Sequence, residues 1–110
     1  MTDVRRLRGK PRRRLFQPTE LRCAKGLRRA HLLDVSETGA LVHVADAPAR
    51  GASVQVGVLG AMRAATVAWA EERRVGLSWR EALTAQEVDG VLAAQRAFVA
   101  EASARLAARG

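Results

Sequence analysis

The change of hydrophobic period near residue 84 constrains this chain more than any other feature. Upstream, Val54, Val56 and Val58 alternate with Ser53, Gln55 and Gly57, and Val75, Leu77 and Trp79 alternate with Gly76 and Ser78. A period of two means side chains leaving alternate faces of a strand, one face buried and one wet. Downstream, Val88, Val91, Leu92, Gln95, Phe98, Val99, Ala102 and Leu106 recur every three or four residues, the stripe of an amphipathic helix. Thr84 with Glu87 three residues later fits a capping box at its start.

Turn residues divide the alternating part further. The reading gives strands over Thr19–Ala24, Leu27–Val35, Ala40–Ala45, Ser53–Val58, Met62–Glu71 and Val75–Trp79. Lys25-Gly26, Glu37-Thr38-Gly39, residues 46–51, Gly60-Ala61 and Glu72-Arg73 separate them. Six short strands and one helix predict a mainly β chain: a small closed or nearly closed antiparallel barrel with a helix packed on it. In this division residues 1–18 are a flexible basic arm, 19–80 the barrel and 84–109 the helix. At 110 residues the chain makes one domain with a modest core.

Charge separates the arm from the body. The net charge is +8, but residues 1–31 alone carry +9 and the remainder −1. A cationic leader on a near-neutral body favours phosphate-bearing partners. Within it, Arg8 and Arg12 stand four residues apart around Gly9-Lys10-Pro11. A guanidinium binds phosphate oxygens bidentately and stacks on a purine face. Arg105 and Arg109 repeat that spacing, so the arginines alone specify little.

The second polar element is Asp34-Val35-Ser36-Glu37-Thr38-Gly39. With Leu33 and Val35 facing inward, Asp34 and Ser36 would face solvent, where a carboxylate accepts two hydrogen bonds from an edge such as guanine N1 and N2. Gly39 would allow positive φ and a close approach to a ligand. The plain alternative is an exposed polar face followed by a turn.

Arg8–Arg12 as RxxxR, Asp34, Ser36 and Gly39 as DxSxxG, and the closing Val75-Gly76-Leu77-Ser78-Trp79 together resemble the PilZ domain family, bacterial receptor modules for cyclic di-GMP. The likeness spans roughly residues 5–80. It implies a six- or seven-stranded PilZ-like β-barrel with the arginine arm folding over a ligand held on the outer barrel face. By position, Arg8 and Arg12 would contact phosphates and guanine faces, with Arg13 and Arg14 as auxiliary contacts. Asp34 and Ser36 would bond guanine edges, and Gly39 would shape the turn. Leu7 stands where some members carry a further arginine, leaving one fewer cation for a second ligand molecule.

Other residues carry less. His31 falls on the inward face of its strand, and neither it nor His43 has a partner at metal spacing. Cys23 is a packed or surface thiol and cannot form an internal disulfide. Trp69 and Trp79 continue the apolar alternation of Ala65 and Val67 and of Val75 and Leu77, which favours core packing over stacking on a base. Adjacent Glu71 and Glu72 point to opposite faces and make no acid/base pair. No enzymatic site, metal or cofactor is expected. With no signal peptide or apolar run of about 20 residues, the expected location is cytoplasmic.

The function that follows is a cyclic di-GMP receptor or adaptor whose arm changes conformation on binding and signals to a separate downstream protein effector. Two alternatives stand beside it. One is a PilZ-like protein-interaction module without ligand, docking through the outer helix face near Arg96 and Arg105. The other is a basic nucleic-acid binder.

Overall fold

A computed structural model describes residues 13–109. Six strands come first: β1 (Arg13–Cys23), β2 (Gly26–Val35), β3 (Gly39–Val44), β4 (Ser53–Val58), β5 (Ala61–Glu71) and β6 (Arg74–Trp79). One helix follows, α1 (Ala85–Arg109). The strands close into an antiparallel barrel in the order β1-β2-β3-β6-β5-β4. Closure leaves no strand edge for another chain to pair with, except where the seam is short. The seam here is short: the β1–β4 ladder pairs are Leu21↔Val56 and Arg22↔Gln55, extended by the Thr19 hydroxyl donating to the Gly57 carbonyl at 2.6 Å.

The expected elements are all present, and the barrel interior is built from the alternating valines. Leu21, Leu32, Val35, Val42, Val56, Val67, Val75 and Leu77 fill it, all essentially out of solvent. Three β-bulges change which residues reach it. In β2 the register slips between Leu32 and Asp34, so Leu32 and Val35 both point inward and Leu33 does not. His31, expected inside, stands on the outer face beside its cross-strand partner His43. In β5 a slip between Val67 and Trp69 turns Trp69 outward, 39% exposed, although Trp79 is buried as its pattern predicts. An extra residue in one strand inverts every later facing, and alternation alone cannot reveal it.

The first strand begins at Arg13 rather than at Thr19. Its polar opening is ordered by backbone pairing, Arg13↔Val35 and Arg14↔Asp34, interrupted by the third bulge before Gln17↔Leu32. On its other side the helix serves as neighbour. The Phe16 amide donates to Gln95 Oε1 at 3.3 Å, and Gln17 Nε2 donates to the Val91 carbonyl at 3.4 Å. Pro18, with no amide hydrogen, sits in this stretch beyond the β4 seam, where no ladder bond is lost.

The helix begins with the reciprocal capping box its sequence predicts. The Thr84 amide donates to Glu87 Oε1 at 2.9 Å, and the Glu87 amide donates to Thr84 Oγ1 at 3.0 Å. Val88 and Val91 are buried against the barrel and Leu92 packs at its margin. Beyond Gln95 the stripe runs past its support: Phe98, Val99 and Leu106 are 39%, 49% and 67% exposed. The helix expected on the barrel is present and packs there through its first turns, while its distal stripe stays in solvent. A helix of 25 residues is about 37 Å long, and the apolar residues of its first turns are the ones that the barrel buries. No helix among the described residues is long and apolar enough to cross a membrane.

Candidate functional site

The β2–β3 connection gathers the second polar element at one end of the barrel. Asp34, half-buried, lies on the outer face between Arg14 of β1 and Leu41 of β3. Ser36 does not share that face: it is 1% exposed. Its Oγ accepts from the Thr38 amide at 3.2 Å and the Gly39 amide at 3.1 Å, with Thr38 Oγ1 3.3 Å away. The Ser36 amide donates to the Gly39 carbonyl at 2.9 Å. The serine thus folds the turn on itself in the manner of a local side-chain staple, which alternation from Val35 could not foretell.

Gly39 is needed for a different reason from the one its sequence suggests. It has no positive φ, and it pairs with Ser78 of β6. A Cβ there would run into the carbonyl oxygen of Leu77. What the glycine allows is the close approach of β6.

That approach grips the turn. Trp79 donates its amide to the Thr38 carbonyl at 3.0 Å and its indole Nε1–H to the Ser36 carbonyl at 3.2 Å. The Leu83 amide donates to the Glu37 carbonyl at 2.8 Å. Three consecutive turn carbonyls are therefore held by residues 79–83, a role the alternation of Trp79 did not disclose. A buried indole needs an acceptor, and that requirement was the available signal.

Arg8 and Arg12 lie outside the described residues, but Arg12 is bonded to Arg13, the first residue of β1. Arg13 and Arg14 are exposed and stand across from Val35 and Asp34. The RxxxR element thus ends one residue before a strand that begins beside the DxSxxG element. A family model, the PilZ domain, matches residues 6–94.

The chain belongs to the PilZ domain family. The match takes in both polar elements and ends at Ala94, close to where α1 leaves the barrel. No curated protein matches the chain significantly. PilZ domains are receptor modules for cyclic di-GMP, and the six-stranded barrel with its C-terminal helix has the fold that the motifs implied.

Elsewhere in this PilZ domain the residues weighed from sequence take structural places. Cys23 Sγ lies 3.6 Å from the Gly26 carbonyl in the first hairpin. No group of three or more His, Cys, Asp or Glu among the described residues could hold a metal ion. A concavity of about 950 Å³ opens at the far end of β3, lined by His43, Ala45, Glu71, Glu72, Arg73 and Arg74. It includes none of Asp34, Ser36 and Gly39. A ligand at the polar elements would lie on an outer face.

Proposed function

We propose that this PilZ domain binds cyclic di-GMP on the outer face between the start of β1 and the β2–β3 turn, and passes the signal to a separate protein. Arg8 and Arg12 clamp phosphates and guanine faces, with Arg13 and Arg14 adding positive charge where the strand starts. Asp34 receives a guanine edge. Ser36 and Gly39 serve the site by shaping the turn that presents Asp34. The observation that supports this reading is the register Arg13↔Val35 and Arg14↔Asp34, which sets the two arginines that follow the RxxxR element in sequence across from the start of DxSxxG.

Ordering the arm over the ligand has an entropic cost, offset by charge-assisted hydrogen bonds of about 1.5–3 kcal/mol each. Binding also neutralises part of the leader's charge and so changes the surface offered to an effector. Such a domain works by recognition, without catalysis of its own, in the cytoplasm.

The test is a calorimetric titration with cyclic di-GMP, GTP and duplex DNA at two salt concentrations. The receptor reading expects preference for the cyclic dinucleotide, with Arg12→Ala and Asp34→Ala each weakening it at least about tenfold, the loss of one or two charge-assisted bonds. Equal affinity for every polyanion with a steep salt slope would instead mark a nucleic-acid binder.

A further inference from the structure

Asp34 can hold the edge of only one purine, whereas a cyclic dinucleotide carries two. The outer face next to Asp34 is furnished for the other. Phe16 of β1 lies flat on His31 of β2, ring centroids 4.5 Å apart and planes 13° from parallel. His43 of β3 follows across the sheet, 6.2 Å from His31 and tilted by 51°. Phe16 remains 56% exposed, so much of what His31 leaves uncovered stands in solvent. His31 is three residues from Asp34 on the same strand, roughly 10 Å at strand rise.

Nothing in the fold demands this arrangement. Phe16 is not part of the core cluster or of the apolar residues packed against it, and its backbone amide engages α1 through Gln95. A large apolar ring left in water, held rigid by a stacked partner, suits the π-face of a nucleobase. Phe16 lies within the bulge that separates Arg14 from Gln17 in β1.

We propose that Phe16, backed by His31, is a stacking floor for the second purine base of the bound cyclic dinucleotide. This inference rests on the cyclic di-GMP reading above and adds to it the residues that read the far half of the ligand.

The experiment titrates wild type, Phe16→Leu, His31→Ala and Asp34→Asn with cyclic di-GMP, and follows aromatic proton shifts by NMR. Phe16→Leu keeps apolar bulk and removes the π-face, and thermal melting of each variant checks the fold. The expected result is about tenfold weaker binding for Phe16→Leu, the order of one lost base–aromatic stack, with upfield shifts of the Phe16 ring protons in wild type on saturation. Unchanged affinity in Phe16→Leu and His31→Ala, with Asp34→Asn still disabling, overturns the stacking floor and leaves the receptor reading standing. A wild type that does not bind the dinucleotide overturns both.

Discussion

The indole N–H of Trp79 points at the carbonyl of Ser36, 3.2 Å away, from the strand that closes the barrel to the turn that carries the polar motif. The two residues are 43 positions apart in sequence. Both are buried, so the bond has no water to replace it. The turn beside Asp34 is therefore not a free loop but a part of the core, fixed before any ligand arrives. Preorganisation of this kind lowers the ordering cost that a ligand must overcome on one side of its site.

Removing that donor should be felt in stability. Trp79→Phe keeps a ring in the core and leaves the Ser36 carbonyl buried without its indole partner. The expected loss is about 1–3 kcal/mol, the usual cost of an unsatisfied buried group, read from the midpoint of urea unfolding. Amide shifts of Glu37, Thr38 and Gly39 should move with it. A variant as stable as wild type, with those shifts unchanged, would contradict the structural role given to Trp79.

Two glycines offer a paired comparison. A Cβ at Gly39 meets the Leu77 carbonyl, which is backbone, while a Cβ at Gly76 meets the indole of Trp69, which is a partly exposed side chain. Backbone in a barrel can yield only by moving a strand, whereas an outer indole can rotate into solvent. Gly39→Ala should therefore destabilise by about 1–3 kcal/mol, as overpacking usually does, and Gly76→Ala by less. Chemical denaturation of both variants decides the order, and the reverse order would be evidence against the register drawn between β3 and β6.

The fold was legible because its signals are local. Alternation in Ser53–Val58 and Arg74–Trp79, and the three-four stripe after Thr84, follow directly from backbone geometry, and the structure has strands and helix there. The DxSxxG and RxxxR elements could be located on the chain for the same reason. Facing was less legible. Bulges at Arg14/Gln17, Leu32/Asp34 and Val67/Trp69 depend on how neighbouring strands pair, so His31, Leu33 and Trp69 ended on faces opposite to those expected. Ser36 was misread as a surface hydroxyl because its partners are amides of its own turn. The grip of Trp79 on that turn is a contact between distant segments, written in no local pattern.

The approach to α1 and its distal end should respond differently to the same substitution. Leu83, 2% exposed where the chain approaches the helix, is enclosed by the core, while Leu106 is 67% exposed. Leu83→Ala should cost about 2–5 kcal/mol. Leu106→Ala should stay within about 0.5 kcal/mol, as surface changes do. Comparable losses at both sites, by thermal or urea unfolding, would mean that the distal stripe is covered in solution.

Glu87 links helix to barrel through charge, and pH tests the link. Its carboxylate accepts from the Thr84 amide and from Arg63 Nη1, the latter at 2.7 Å. The hydrogen bond from the Thr84 backbone, followed by that from Arg63, holds its pKa below the ordinary carboxylate value. A depressed folded-state pKa stabilises the native protein above the unfolded-state value, and that contribution fades as pH falls through the folded one. Glu87→Gln retains an acceptor oxygen for Thr84 but gives up the charge facing Arg63. The variant should be less stable than wild type at neutral pH, and the gap should narrow from about pH 4.3 downward. Urea midpoints measured across pH 2.5–7 supply the check. A gap that is constant over that range would show that the charge on Glu87 contributes nothing to holding α1 on β5.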